Sequence, residues 1–235
     1  TYPRSLLGVI AHIRQTFYDS EWYLKSQEIV QSYPAENRPL ASNSSLESLG
    51  LSRTLGKPFA FISSDDNSAS RLMNISKEFR LNPWIIGSGY EYRQLNQFNQ
   101  LDPFFIMPID FPSKPSVAKY MSDLQYTTAE LKHWDMAPDN LSYLNRAGHD
   151  FSITSHRLLK KSEFRKNLER IIDRGLSKDI VLAALTTQPA EALGLEKSMG
   201  KVAKGYDANL VIVDGDYFEP TSKVVSLWIE GEEIY

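Results

Sequence analysis

Apolar residues recur at helical spacing from the start of the chain. Leu6, Ile10, Ile13, Phe17 and Leu24 lie on one stripe, which predicts a long amphipathic helix over about residues 3–31. Pro3 suits a first turn, and Tyr33-Pro34 ends the run. Asn43-Ser-Ser-Leu-Glu47 carries the side chains of a helix start, with a short helix to Leu55. The pattern then changes. Phe59-Ala-Phe-Ile62, Trp84-Ile-Ile86, Phe104-Phe-Ile-Met107 and Asp150-Phe-Ser-Ile-Thr154 are short apolar runs of the buried-strand type. Helical patterns separate them. Asp66-Asn67-Ser68 opens a helix with Ala69, Leu72, Ile75 and Phe79 on one face, and a polar helical stretch follows Gly89. Residues 112–116 read as a loop and residues 128–146 as a helical region broken at Pro138. Helices at about 162–174, 177–185 and 189–193 complete this part. Strands alternating with helices indicate βα units and a mainly parallel sheet, an α/β fold.

The tail is different. In Gly200-Lys-Val-Ala-Lys-Gly205-Tyr-Asp207-Ala208-Asn209-Leu-Val-Ile-Val-Asp214, two glycines flank a polar turn before a solid apolar run. The glycines supply positive φ, and Leu210 to Val213 reads as a strand. A second strand falls at 224–229, and Glu230-Gly231-Glu232 makes a hairpin-like turn before Ile234-Tyr235. By pattern alone, this is a small terminal sheet.

Composition excludes more than it assigns. The 235 residues suffice for a sizeable core, and the net charge is −3 with 26 basic and 29 acidic side chains. Scattered Lys and Arg, outnumbered by acids, exclude a nucleic-acid binder as the expected class. No apolar run approaches the ~18 residues that span a bilayer. With no cysteine, there is no disulfide framework and no thiolate zinc site. The chain starts at Thr1 without an initiator methionine or signal peptide, so a processed or trimmed chain is expected.

The tail motif resembles the closing motif of the amidohydrolase superfamily, in its imidazolonepropionase-like branch. Ala183-Ala-Leu-Thr-Thr-Gln-Pro189-Ala190-Glu-Ala-Leu-Gly194-Leu is similar to the helix that precedes that motif in the superfamily. Residues 2–23, beginning Tyr2-Pro3-Arg-Ser5, resemble a segment found midway through large, exported members of it. The resemblance implies the C-terminal half of a (β/α)8 TIM-type barrel over residues 1–195, about four strand–helix units. Residues 196–235 would then be the terminal strands of a flanking small β-domain. Half a barrel leaves an open sheet edge and an uncovered interior. The expected partner is therefore a missing N-terminal barrel half or a second copy, with a small-molecule ligand, no nucleic acid and no membrane. The expected parent is soluble and exported, periplasmic or extracellular.

The superfamily's chemistry implies a metal centre that lowers the pKa of a bound water and polarises the scissile carbonyl. Its ligands are a His-x-His pair after the first strand, histidines after the fifth and sixth, and aspartate after the eighth. Counting the four strands here as fifth to eighth, the fifth ends at Ser63-Ser64-Asp65 and the sixth at Gly87-Ser88-Gly89-Tyr90. The eighth ends at Ser155-His156. All three positions depart from the pattern. Zinc or another divalent metal is implied for the parent enzyme and none for this chain.

Four histidines remain: His12, His133, His149 and His156. His149 and His156 flank one strand about 23 Å apart at ~3.3 Å per residue, too far for one metal. His12, His133 and His149 read as structural; His156 stands at a strand end, where such barrels place chemistry. With Asp110 it forms the candidate catalytic set. Asp65, Glu91 and Arg93 are the candidate substrate-binding residues, Asp65 also reading as a helix cap and Arg93 as an ion-pair partner. The expected function is a metal-free degenerate hydrolase module with a scaffolding or small-molecule-binding role. Two alternatives stay open: part of an active metal-dependent hydrolase cleaving non-peptide C–N bonds, its ligands supplied by the N-terminal half, and an independent binding protein.

Overall fold

A computed structural model describes residues 3–116 and 126–235. The chain divides into two compact units, residues 1–60 with 71–83 and residues 61–70 with 84–235.

In the first unit, α1 (Leu6–Ser32) is the long helix the apolar stripe predicts, although of that stripe Phe17 is buried and Leu6 is more than half exposed. It starts later than residue 3, because Ser5 rather than Pro3 sets the first turn: its side chain accepts from the Gly8 N–H. Tyr2, where the opening segment of the family resemblance begins, lies outside the described residues. Phe17 and Tyr23 are buried, whereas Tyr18 and Trp22 are more than half exposed, so the aromatic group splits between core and surface. Phe17 stacks on Phe79 at 4.8 Å and meets Phe59 edge-on at 5.8 Å. Arg14 pairs with Glu78 at 2.7 Å, while Gln15 bonds Asp19 within the helix. Asn43 caps α2 (Ser44–Thr54), accepting from the Leu46 N–H as expected. Gly50 lets α2 approach α1 closely: a Cβ there would lie 2.5 Å from Leu24 Cδ1.

The four apolar runs form β1 (Pro58–Ile62), β2 (Asn82–Ile86), β3 (Phe104–Pro108) and β4 (Phe151–Thr154), with α3 (Asp66–Phe79) following β1. Their sheet runs in the order β1-β2-β3-β4, and β2–β3 and β3–β4 pair in parallel. Ile85, Phe105 and Phe151 are in register across three strands, each fully buried. The alternate residues Trp84, Ile86, Phe104 and Ile106 are only half-buried. This period-2 alternation gives the sheet one closed face and one partly open face.

The stretch after Gly89 is not a regular helix but two short 3₁₀ turns, Glu91–Arg93 and Leu95–Gln97. The Glu91 carboxylate folds back to accept from the N–H groups of Ser88 and Gly89, which fixes a tight turn where a helix would otherwise start. The region broken at Pro138 becomes α4 (Thr128–Met136), a 3₁₀ turn at Ala137–Asp139 and α5 (Asn140–Arg146). Then come α6 (Phe164–Asp173), α7 (Lys178–Leu185) and α8 (Thr187–Ala192).

The tail forms an antiparallel sheet of β5 (Leu210–Val213), β6 (Val224–Ile229) and β7 (Glu232–Glu233). Its hairpin turns through Glu230 at φ 52° and Gly231 at φ 85°. Asn209 of the polar turn accepts from the Glu230 N–H, so the motif asparagine holds the far hairpin. Arg165 of α6 fastens the β5–β6 connection, its guanidinium donating to the carbonyls of Tyr217, Glu219 and Ser222 at 2.8–3.1 Å. Arg165→Ala is expected to cost about 2–3 kcal/mol, since charged donors to three carbonyls are lost. Urea unfolding midpoints would measure this, with faster proteolysis between residues 214 and 223 as the local sign. Among the described residues no helix is long and apolar enough to cross a membrane.

Candidate functional site

The C-terminal ends of β2, β3 and β4 gather most of the candidate residues. β2 runs into Gly87-Ser88-Gly89, where the strand ladder closes as the Gly87 N–H donates to Ile106 O at 3.0 Å. Gly87 is sealed: an added Cβ would lie 2.5 Å from Met107 Sδ and 3.1 Å from Glu91 Oε1. Glu91 is 1% exposed. Its Oε1 accepts from Ser88 N–H at 2.6 Å and Ser88 Oγ at 2.9 Å, and its Oε2 accepts from Gly89 N–H at 3.0 Å. Asn140 Nδ2 donates to Oε2 at 2.8 Å, and Asn140 Oδ1 accepts from the Tyr92 N–H. The carboxylate is thus a clamp for the loop after β2, satisfied by internal donors.

Asp110 follows β3 and is half-buried. Arg157, just past β4, grips it with both prongs of its guanidinium, Nε to Oδ2 at 3.0 Å and Nη2 to Oδ1 at 3.1 Å. Arg157 has φ 67°, a left-handed conformation costing about 1–2 kcal/mol for a residue with a Cβ. His156, next to it, is exposed, and its backbone N–H donates to Thr154 Oγ1. The structure therefore joins Asp110 to Arg157. Asp65 is exposed at the end of β1, where its Oδ1 accepts from the Ser68 N–H in the first turn of α3. Ser63, fully buried, donates to Asp65 O at 2.8 Å. Arg93 lies over the Tyr90 ring at 4.5 Å and donates from Nε to Tyr92 Oη at 3.4 Å.

A small cavity of about 20 Å³ opens at this end of the strands, lined among others by Ser88, Gly89, Asp110, His133 and Asn140. It shares Asp110, Phe111 and Pro112 with a larger groove of about 710 Å³ that runs along α6 past Arg157 and Lys166. A groove of that size falls within the range of small-molecule sites. His133 of α4 is 9% exposed, stacked on Tyr90 with ring centroids 3.6 Å apart. Burial first, and the Arg93 charge second, push its pKa below the ordinary 6.5, against an opposing pull from Asp110. Its ring is therefore neutral at neutral pH.

Three site residues escape the sequence. Arg157 and Asn140 have no local signal, since each gains its role from a partner 47–49 positions away. His133 reads as an ordinary helix residue because its partner Tyr92 lies 41 positions upstream. His149, the remaining buried histidine, sits away from this cavity and pairs with Asp102 at 2.8 Å. Among the described residues no three His, Asp or Glu side chains group to hold a metal ion.

Comparison with known proteins finds likenesses to amidohydrolases, in sequence over part of the chain and in fold over nearly all of it. Residues 146–234 match the model of the amidohydrolase family. A segment of 57 residues is 39% identical to the amidohydrolase tasK of Hapsidospora irregularis, covering 24% of this chain and 6% of that protein. In fold, an amidohydrolase from Thermotoga maritima superposes with a TM-score of 0.78 at 20% identity, over 99% of this chain and 57% of the other. An uncharacterized metal-dependent hydrolase from Pyrococcus furiosus gives 0.52 at 16% identity, over 77% and 39%. The chain thus spans little more than half of the first structure and a small part of the tasK protein.

Proposed function

We propose that this chain, which belongs to the amidohydrolase superfamily, is a metal-free, degenerate hydrolase module of a larger protein. In this reading residues 1–195 are the C-terminal half of a (β/α)8 barrel, and residues 196–235 are the last strands of its flanking β-domain. The half-buried face of Trp84, Ile86, Phe104 and Ile106 supports the half-barrel, because a closed barrel would cover it with further strands. The missing partner is an N-terminal half or a second copy, and the parent is exported.

The end of β2 carries the functional part of the reading. A metal-ligating histidine there needs space for an imidazole, and Met107 and the Glu91 carboxylate fill the space beside Gly87. The other two strand ends support the same reading: Ser63 donates to the Asp65 carbonyl, and Arg157 is paired with the Asp110 carboxylate. What survives is a small cavity of mixed polar and apolar lining that opens onto a groove, suited to scaffolding or small-molecule binding. Zinc or another divalent metal would then belong to a different module.

The competing reading is an active hydrolase of non-peptide C–N bonds, with its ligands on other parts of the parent. Of the Thermotoga maritima structure, 43% lies beyond this chain's coverage (100 − 57), which leaves room for such a contribution. Elemental analysis of the purified parent protein separates the two. Substoichiometric zinc, manganese and iron in a folded sample is the expected result. Stoichiometric metal that survives gel filtration, together with hydrolysis of a C–N substrate, overturns the degenerate reading.

A further inference from the structure

His133 lines the small cavity of the function just proposed and is the most tightly confined ionisable ring at this end of the sheet. It connects α4 to the loop after β2. One face lies on Tyr90 at 3.6 Å with the planes 16° apart, and Nδ1 is 3.4 Å from Tyr92 Oη. Arg93 donates to that same hydroxyl, which leaves the Tyr92 O–H directed at Nδ1 as an acceptor. This arrangement suits the neutral ring protonated on Nε2. A second proton would have to sit on Nδ1, where it would displace the Tyr92 O–H.

We propose that His133 is an acid-operated latch: the neutral ring holds α4 to the loop after β2, and protonation releases it. The charged groups around it decide the direction. From the loop and the 3₁₀ turn, Arg93 faces it as a like charge, already lying over the same Tyr90 ring. Glu91 is turned away into its four donors, and Asn140 of α5 is neutral. From the loop after β3 comes Asp110, whose charge is engaged by both prongs of Arg157. On α4 itself, Glu130 is occupied by the cap of Thr127, Asp135 is paired with Arg174, and Lys132 is a further like charge on the helix. Asp139 after α4 is likewise held by Arg174. Asp110 alone of these carboxylates pulls toward the charged ring, and burial together with the Arg93 charge outweighs it, so charging the ring favours opening.

The sign follows from the lowered pKa. Above the ordinary value of 6.5 both the closed and open forms are neutral, and the latch is at full strength. As pH falls through 6.5 the open form takes up the proton first, and the loss is complete below the closed-state pKa. Each unit of depression changes the opening equilibrium about tenfold.

The test is hydrogen exchange on the full chain from about pH 7.5 to about pH 5, across the histidine range. Amide protection factors in residues 88–92 and α4 are followed alongside an NMR titration of the His133 ring. Expected are a ring pKa below 6.5 and protection that falls about tenfold per unit of depression, confined to these segments. His133→Phe keeps the stack but cannot be charged, and should abolish the pH response. A ring titrating at or above 6.5, unchanged protection, or a wild-type response in the variant overturns the latch. If the variant does not fold, the wild-type titration and exchange decide alone.

Discussion

Gly200→Ala is expected to destabilise the chain by about 2–4 kcal/mol, combining a left-handed backbone with overpacking. Gly200 has φ +91°, which an L side chain rarely adopts. A Cβ there would lie 2.8 Å from Ala190 Cβ and 3.0 Å from Thr186 O, so it would drive into α8 and the backbone that leads into it. Backbone cannot yield as a flexible side chain can. Gly205, at φ +88° with nothing within 4 Å of an added Cβ, provides the control. Gly205→Ala carries only the backbone strain, about 1–2 kcal/mol. Urea unfolding of both variants would check the difference; equal losses would mean that the contact with α8 contributes nothing.

The second large effect concerns Glu91. Glu91→Ala should cost about 3–5 kcal/mol, because Ser88 N–H, Gly89 N–H and Asn140 Nδ2 lose their shared acceptor inside the protein. Glu91→Gln keeps the volume but brings an amide NH₂ against groups that donate, so about 1–3 kcal/mol of loss is expected. The pair of variants also separates two roles for this residue. A clamp predicts a lowered unfolding midpoint for both, with loosened exchange protection over residues 87–92. A substrate-binding carboxylate predicts an unchanged midpoint and loss of ligand binding. Four internal donors argue for the clamp.

Most of the elements were legible along the chain for a physical reason. Each of the four strands is a short apolar run closed by Gly, Pro, Ser or Asp, and burial of such runs needs no distant partner to announce itself. The break at Pro138 and the caps at Asn43 and Asp65 are local hydrogen-bonding chemistry, readable within three or four positions. The start of α1 was harder, because Pro3 and Ser5 both suit a first turn and only the bond from Gly8 to Ser5 decides between them. The polar stretch after Gly89 misled for a similar reason. Its composition fits a helix, but a side chain three residues ahead competes for the same backbone donors.

The candidate site was legible in location and less so in membership. Strand ends could be numbered from the pattern, so Asp65, Glu91 and Asp110 could be placed at one end of the sheet. Their partners could not. Arg157 meets Asp110 through the pairing of β3 with β4, and Asn140 meets Glu91 from a separate helix. The tail motif shows both sides at once. Its glycines and asparagine declare a turn by themselves, whereas the contact of Gly200 with α8 and of Asn209 with the hairpin appears only in three dimensions.

By itself the sequence determined most of the elements, their α/β order and the likeness of the tail to the amidohydrolase motif, because local periodicity and turn chemistry act over a few residues. The tertiary structure alone decided that Glu91 accepts from four internal donors, that Arg157 holds Asp110, and that His133 lies buried beside Tyr90. Those facts depend on distances between residues far apart in the chain, and only the packed fold sets such distances.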